Sequence, residues 1–276
     1  MRLFNKIAIV GTGLIGGSIA LAIKKNRLAD KVIGVSRHKE SLLLAKRKGA
    51  IDIGSCDLGI IKDAQLVILA MPVDAIIKLA PKISAIVSKD CIVTDVGSTK
   101  EDIVSRLKGV FTNYVGSHPL AGSEKRGIAN ARPDLFKNSL CILTPARDTN
   151  NKALKKLQVL WGRLGAKTAL LSPSGHDKAL SFVSHLPHVV AFSLIGIMPK
   201  QYLRFASTGL KDTTRIAASE SELWAAILLS NRKNIIQAME LLRVNMSRIK
   251  SALQKKDLDL LTLIVKQAKA KRELLG

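Results

Sequence analysis

The chain is poor in acidic and aromatic residues. Its 276 residues include 21 Asp and Glu against 44 Lys and Arg, a formal net charge of +23, and only 4% are aromatic. The basic residues are spread in short groups from end to end, without an arginine-rich tail, zinc-finger spacing or an aromatic-interleaved ribonucleoprotein motif. We therefore expect a solvated basic surface and no dedicated nucleic-acid site.

Cysteines and long apolar runs are also scarce. The three cysteines lie far apart and form no CxxC pair, which favours buried thiols in a reducing compartment over disulfides or a catalytic thiol. Glycines interrupt the uncharged run 7–23, and the longest apolar stretch beyond it, 189–198, is shorter than the roughly 20 residues of a membrane span. These absences predict a cytoplasmic protein with no membrane contact.

Short β-branched runs alternate with segments of helical period as far as about residue 171. This alternation predicts a doubly wound parallel sheet with helices on both faces. From Ser174 onward the period is helical only, so we predict an α/β domain over 1–172 and an all-helical domain over 173–276. The predicted strands are 6–10, 31–35, 66–70, 91–95, 113–117, 140–144 and 166–171. The main predicted helices are 14–25, 39–48, 73–86, 99–107, 175–198, 221–249 and 258–271.

The turn after the first predicted strand has the spacing of a dinucleotide-binding motif. In IVGTGLIGGS, Gly11, Gly13 and Gly16 stand at the G-x-G-x-x-G positions where a strand gives way to a helix. Such glycines permit a tight turn, close approach of the backbone to a pyrophosphate and close packing of helix on strand. The motif predicts a Rossmann-type fold that binds a nicotinamide dinucleotide. Further predicted cofactor contacts are Leu14, Ile15, Met71 and Pro72.

The end of the second predicted strand indicates which dinucleotide is preferred. About 20 residues after the glycines, where a carboxylate would bind a ribose 2′-hydroxyl, the chain has Ser36 and Arg37. A hydroxyl beside a guanidinium can hold a 2′-phosphate, which a carboxylate would repel. We predict a preference for NADP over NAD; the alternative is that these residues are merely a basic helix start.

Two polar segments follow consecutive predicted strands. TDVGSTKED (94–102) and GSHPLAGS (116–123) leave the carboxyl ends of these strands, the edge of an open parallel sheet where ligands bind. We expect His118 on a short loop at this edge, beside the nicotinamide, with Pro119 fixing the backbone that follows. The position predicts a catalytic histidine, where a lone histidine is otherwise more often structural.

The sequence resembles the prephenate and arogenate dehydrogenases of tyrosine biosynthesis. The resemblance lies in VGTGLIGGS, TDVGSTK, GSHPLAGSEKRG, LTP at 143, HD at 176, VSHLPH at 183 and GLKDTTRIA at 209, which follow the family order over nearly the whole chain. It implies oxidative decarboxylation of a cyclohexadienol, without a metal or covalent intermediate. It also implies a homodimer, which fits the long apolar stripes after Ser221.

The resemblance also assigns roles to individual residues. His118 would be the base that removes the hydroxyl proton, and Ser98 would orient that hydroxyl. His188, Lys211 and Arg215 would bind the carboxylates of the substrate, with Lys211 and Arg215 on one face if that segment is helical. Pro187 would open a helix and place His188 in its first turn.

Several alternatives stay open. Prephenate is favoured, because the amino group of arogenate would meet a cationic pocket, but arogenate remains a second candidate. A β-hydroxyacid or imine reductase, or a dinucleotide-sensing protein that binds nucleic acid, would share the nucleotide-binding half. His176 and Asp177 could be a metal pair, but no third ligand has suitable spacing, so we expect them to cap their own helix. Trp224 fits a core or an interface equally well as a site near the substrate.

Overall fold

An eight-stranded sheet forms the centre of the N-terminal part. The computed structural model describes residues 2–122 and 125–275; Ser123 and Glu124, in the motif after His118, lie outside the described residues. The strands are β1 (Phe4–Val10), β2 (Ala29–Val35), β3 (Ile53–Ser55), β4 (Leu66–Leu69), β5 (Ile92–Asp95), β6 (Asn113–Pro119), β7 (Leu140–Thr144) and β8 (Lys167–Leu170). Their order across the sheet is β3-β2-β1-β4-β5-β6-β7-β8.

The buried segments of the central strands are mainly apolar because both faces of the sheet are covered. In β1, Ile7 and Ile9 belong to one core cluster. Ala8 and Val10, which point the other way, belong to a second cluster. All four are at most 3% exposed. Helices therefore pack on both sides of the sheet, as the sequence predicts.

The strand order reverses at β1, which pairs with β2 on one side and β4 on the other. Strands β1 to β6 are parallel, so the carboxyl ends of β1, β4, β5 and β6 meet at one edge, the usual place for a ligand. The doubly wound fold is confirmed, with two differences. The sequence analysis missed the short β3, and β7 runs antiparallel to β6, with His118 opposite Ile142.

Helices cover the sheet and make up the rest of the chain. They are α1 (Leu14–Lys25), α2 (Lys39–Arg47), α3 (Val73–Ser84), α4 (Glu101–Leu107), α5 (Asn151–Arg163), α6 (Pro173–Leu180), α7 (Leu186–Gly196), α8 (Thr208–Thr214), α9 (Ser221–Ser230), α10 (Arg232–Lys255) and α11 (Leu258–Glu273). After β8, the described chain forms helices and turns with no strand. Because α6 packs against α4 and β7, the division at residues 172 and 173 stays a prediction.

A π turn joins α6 to α7. Ser181–His185 forms this wide turn directly before Pro187. Proline lacks the N–H group that would bond to the carbonyl of Val183, and its ring would crowd that turn of a regular helix. The predicted helix at 175–198 therefore contains a distortion of the kind that often lies at functional sites.

The predicted helix at 221–249 is two helices. Asn231, with φ −108° and ψ 24°, interrupts the helical backbone between α9 and α10. Its side chain makes hydrogen bonds outside both helices. The sequence analysis missed the break because no glycine or proline marks it.

The helical run Pro173–Gly196 has 24 residues, as many as the helix predicted at 175–198, and it is rich in apolar residues. By length and composition alone it could cross a membrane. An 18-residue segment within it has a mean hydropathy of 1.5, and 22% of that segment is buried. The core helix of a water-soluble protein can have the same properties. Here the run also carries buried polar side chains, His176 and Asp177, which bond to other parts of the chain.

Candidate active site

His118 lies at the carboxyl end of β6, not on a loop as predicted. It is the second-last residue of the strand. The preceding residue, Ser117, points to the opposite face, where its hydroxyl bonds to Thr94 Oγ1 at 2.7 Å and accepts from Trp161 Nε1 at 3.3 Å. Because neighbouring strand residues face opposite sides, anchoring Ser117 in the core fixes the direction of the His118 ring.

A chain of hydrogen bonds connects His118 to a buried carboxylate. His118 Nδ1 is 2.8 Å from His176 Nε2, and His176 Nδ1 is 2.7 Å from Asp177 Oδ1. A carboxylate can only accept, so Asp177 Oδ1 accepts a hydrogen bond from His176 Nδ1–H, and Nε2 of a neutral His176 is left as an acceptor. His118 then donates from Nδ1, and its own Nε2 carries a free lone pair. This tautomer is the one that a general base needs.

The electrostatic surroundings keep His118 neutral. Burial lowers the pKa of His118 well below 6.5, and the neighbouring His176, Lys100 and His185 lower it further. Burial alone would raise the pKa of Asp177, but hydrogen bonds from His176 and from the backbone of Glu101 and Lys100 lower it below 3.8. The chain of hydrogen bonds therefore has a neutral His118 at one end and an ionised Asp177 carboxylate at the other.

Asp177 caps α4 and not its own helix. Its Oδ1 accepts from Lys100 N at 2.8 Å and its Oδ2 accepts from Glu101 N at 3.0 Å, at the start of α4. The cap of α6 is Ser172, whose hydroxyl accepts from Gly175 N at 3.1 Å. The predicted role of His176 and Asp177 as a cap for α6 is therefore wrong. They join the helical part to the loop that carries Ser98.

A buried ion pair lies beneath that loop. Lys100 Nζ contacts Asp95 Oδ2, and both side chains are fully buried. Asp95 also accepts from Gly97 N at 2.8 Å and from the Tyr114 hydroxyl at 2.7 Å. Burial and the nearby carboxylate raise the pKa of Tyr114 well above 10.0, so it stays a donor. These contacts fix the ends of the loop around Ser98, which is half-buried and makes no side-chain hydrogen bond within the described chain.

Two more histidines come from the π turn and α7. His188 stacks on Trp224 with ring centroids 3.4 Å apart, and His185 meets the same indole edge-on at 6.1 Å. His188 Nδ1 lies 2.9 Å from the Ser184 carbonyl, which can only accept, so Nδ1 carries a proton and Nε2 stays free. Burial lowers the pKa of His188, an effect that this carbonyl partly offsets. Of the five histidines in the sequence, all but His38 belong to this cluster.

The two predicted substrate cations lie on neighbouring turns. Lys211 is in the last turn of α8, and Arg215 begins a 3₁₀ turn that packs against α7, the helix of His188. Both are exposed, and within the described residues neither forms an ion pair. The structure thus places Arg215 on an element next to that of His188.

The glycine-rich turn fits a dinucleotide. Gly11 has φ +103°, and a Cβ there would lie 2.2 Å from the Ala70 carbonyl oxygen. A Cβ on Gly16 would lie 1.9 Å from Gly11 O, whereas one on Gly13 would meet nothing within 4 Å. Gly13 is also the N-cap of α1 and offers no side chain to the N–H groups that follow, among them those of Leu14 and Ile15. The turn therefore has no room for a side chain at Gly11 and Gly16, where the fold needs glycine. It leaves space beside Gly13, where an anion would bind.

The remaining predicted cofactor residues lie at the same edge of the sheet. Met71 and Pro72 follow β4, and Met71 Cγ would lie 3.0 Å from a Cβ on Gly11. Ser36 and Arg37 follow β2. Ser36 Oγ accepts from His38 N at 3.2 Å, while the Arg37 side chain is exposed. The four residues that follow β2, 36–39, include no acidic residue.

Sequence reasoning missed most of the residues around His118. Asp95 and Lys100 have no assigned role in the sequence interpretation, and His176 and Asp177 are assigned only to a helix cap, although each bonds directly to the site or supports its loop. Asp95 and Lys100 lie in TDVGSTK, and His176 and Asp177 form the HD pair, but the local sequence does not indicate these contacts. Across residues 2–122 and 125–275, no group of three or more His, Cys, Asp or Glu side chains could hold a metal ion.

The fold and the glycine-rich turn define the class of dinucleotide-dependent dehydrogenases. Comparison with known protein families narrows the class. Residues 19–170 match the prephenate dehydrogenase nucleotide-binding domain and residues 172–267 match the prephenate dehydrogenase dimerization domain. The chain belongs to the prephenate dehydrogenase family.

Individual relatives agree with this assignment. The prephenate dehydrogenase of Bacillus subtilis is 36% identical over 98% of this chain and 76% of its own length. The cyclohexadienyl dehydrogenase of Zymomonas mobilis is 33% identical over 99% of this chain and 96% of its own length. The crystal structure of the Aquifex aeolicus prephenate dehydrogenase with hydroxyphenyl propionate and NAD+ has a TM-score of 0.93 at 32% identity, covering 99% of this chain and 98% of that one.

The environment of His118 predicts its protonation behaviour. Because its pKa lies well below 6.5, the ring should stay neutral at pH 6.5, with its proton on Nδ1, and should take up a second proton only when the pH falls to its lowered pKa. Side-chain ¹H–¹⁵N correlation spectra recorded over a pH series can measure this, with the signals assigned by their loss in His118→Asn. Circular dichroism over the same series verifies that the protein stays folded. A midpoint at or above 6.5, or a neutral ring protonated on Nε2, would contradict the proposed chain of hydrogen bonds.

Proposed function

We propose that the protein catalyses the oxidative decarboxylation of prephenate to 4-hydroxyphenylpyruvate, a step of tyrosine biosynthesis. The observation that supports this most strongly is the chain from Asp177 through His176 to His118. It leaves an unprotonated nitrogen at the sheet edge where the glycine-rich turn also lies. The names of the relatives support the same reaction. We propose a cytoplasmic location, in keeping with a biosynthetic enzyme.

The residues around His118 would carry out the proton chemistry. His118 Nε2 accepts the proton of the substrate hydroxyl, and Ser98 orients that hydroxyl by a hydrogen bond. The positive charge that His118 gains is stabilised through His176 by the Asp177 carboxylate. When bound at the glycine-rich turn, the nicotinamide cofactor would supply the acceptor for the hydride that leaves the ring carbon bearing this hydroxyl. The resulting ketone makes loss of carbon dioxide favourable, because that step completes an aromatic ring.

Cationic and donor groups would bind the two carboxylates. Arg215 and Lys211 are exposed cations, and His188 Nε2 becomes a donor when the ring takes up a proton next to an anion. Stacking on Trp224 favours that protonated form. The amino group of arogenate would meet this cationic region at a cost, so prephenate is the preferred substrate. Arogenate remains the alternative.

Replacing the base should separate chemistry from cofactor binding. In His118→Asn we expect the turnover number to fall by about 10²- to 10⁴-fold, because the substituted amide cannot accept the hydroxyl proton. The dissociation constant for the cofactor, measured by fluorescence titration, should change little. His38→Asn makes the same change outside the histidine cluster and should keep its turnover number. Unchanged turnover in His118→Asn would refute the role of His118.

We propose that NADP is the preferred cofactor. The end of β2 offers a hydroxyl from Ser36 and a guanidinium from Arg37 and no carboxylate, which suits a 2′-phosphate. The nearby Asp52 does not alter this, because its carboxylate is held by Lys24 Nζ at 2.5 Å and by Val32 N at 2.7 Å.

One assay matrix tests both substrate and cofactor. We expect prephenate with NADP to give the highest kcat/KM among prephenate and arogenate paired with NAD and NADP. In Ser36→Asp the introduced carboxylate should repel the 2′-phosphate and bind the 2′-hydroxyl, moving the cofactor preference towards NAD by about tenfold or more. Ser36→Ala, which removes the hydroxyl without adding charge, should move it much less. A clear NAD preference in the unaltered protein would overturn this proposal.

We propose that the protein is a homodimer formed through its C-terminal helices. The matched family domain is described as a dimerization domain, and α9 to α11 bear apolar side chains that this chain leaves uncovered. Seven of these side chains are at least 60% exposed: Leu229, Ile236, Leu241, Met246, Leu253, Leu258 and Val265. A second copy packed on these helices would bury them.

Light scattering can test this surface. The unaltered protein should have twice the mass of one 29.8 kDa chain. A charge placed by Leu241→Glu in α10 should shift the protein towards monomer. Leu43→Glu in α2 is a matched control, since both leucines are 60% exposed. A stable monomer before substitution, or equal behaviour of the two variants, would contradict the proposed interface.

A further inference from the structure

The break between α9 and α10 carries a buried amide that bonds into the histidine cluster. Asn231 is 4% exposed. Its Nδ2 lies 2.7 Å from the Asp177 carbonyl oxygen and 3.0 Å from His185 Nδ1. The neighbouring Ser230 Oγ lies 2.7 Å from Thr99 Oγ1, next to Ser98. The break therefore contacts both segments that support the site.

These contacts determine the protonation pattern of His185. A carbonyl oxygen can only accept, so the atom of Asn231 that faces Asp177 is the amide nitrogen. The same nitrogen faces His185 Nδ1, which must then be the acceptor. The neutral ring therefore has its proton on Nε2, and that N–H has no hydrogen-bond partner within the described chain. His185 is 1% exposed, and its neighbours in the cluster are His176, His188 and the indole of Trp224.

The ring is also kept neutral. Burial lowers the pKa of His185 to about 4; the Asp177 carboxylate opposes this, whereas His176 and His188 add to it. The titratable groups facing the ring are thus Asp177 and His176 from α6, His188 from α7 and His118 from β6. Among the described residues, α9 and α10 contribute the uncharged Trp224 and Asn231 to its surroundings. An amide does not titrate, so the tautomer stays fixed over the working pH range.

We propose that Asn231 is a positioning residue of the active site, which holds His185 as a neutral ring with Nε2–H available as a donor to an oxygen of the anionic substrate. The choice of substrate rests on the proposed function, but the tautomer does not. A carboxylate at this position could not hold the tautomer. In Asn231→Asp, the introduced carboxyl group and His185 would share one proton, and either arrangement of that proton keeps Nε2–H. Once the proton is lost at higher pH, the carboxylate needs Nδ1–H and Nε2 becomes an acceptor.

The test compares two identical substitutions. Asn113 is a matched control because it is also buried, its Nδ2 donates to the Lys89 carbonyl at 3.0 Å, and its Oδ1 accepts from Asn150 at 2.8 Å. It lies at the start of β6, the opposite end from His118. Side-chain ¹H–¹⁵N spectra of the ligand-free proteins, with His185 assigned by its loss in His185→Gln, report the tautomer. The pH dependence of kcat/KM for prephenate reports its consequence.

The unaltered protein and Asn113→Asp should show His185 protonated on Nε2 between about pH 6 and 8. In Asn231→Asp the proton should move to Nδ1 as the pH rises, and kcat/KM should fall by about tenfold or more over the same range. A proton on Nδ1 of His185 in the unaltered protein overturns the proposal, whether or not the variants fold. So do matching pH profiles of the two variants. If the spectra are as expected but no protein turns over prephenate, the proposed function fails and the positioning role of Asn231 stands.

Discussion

The buried Asp177 carboxylate is the group on which the arrangement of the site depends. A buried charge is tolerated only when its lone pairs are matched by donors, and here there are three donors: two N–H groups at the start of α4 and the ring of His176. The resulting hydrogen bonds hold α6 against the sheet, through His176 and His118, and stabilise the first turn of α4. It also sets the direction of each proton between His176 and His118. One carboxylate therefore supports the fold of the loop and the tautomer of His118, the proposed base.

The histidine cluster lies in surroundings from which water is largely excluded. Burial disfavours the charged form of an imidazole, and neighbouring imidazoles disfavour it further. The pKa values of His118, His185 and His188 are all lowered. Neutral rings each have one donor and one acceptor, so every hydrogen bond constrains the next. Three of the rings are each held at one nitrogen by a hydrogen bond. His118 is held by His176, which bonds in turn to Asp177. The Ser184 carbonyl holds His188, and Asn231 holds His185. In His118, His185 and His188 the other nitrogen makes no hydrogen bond within the described chain.

The sequence predicts well those features that depend on local order. Strand runs, the glycine turn and the helical second half follow from periodicity and from residues with special backbone requirements, such as Gly11 with its positive φ. His118 could be placed at the edge of the sheet by strand order, although the strand continues through it. The partners of His118 could not be predicted in this way. His176 is 58 residues away and Asp177 bonds across 77 residues, and a contact between distant segments leaves no periodic signal. The break at Asn231 was missed because its cause is also a set of distant contacts.

The position of that break gives α10 two functions. At its start, Asn231 bonds to the histidine cluster, and along its length the helix exposes apolar side chains such as Ile236 and Met246. Covering these side chains with a second copy would hold the first turn of α10 in place, because a helix packed along its length frays less at its end. The geometry of His185 would then depend on dimerisation, although no partner residue need touch it. The α9–α10 break thus connects the proposed dimer interface to the histidine cluster through the buried amide of Asn231.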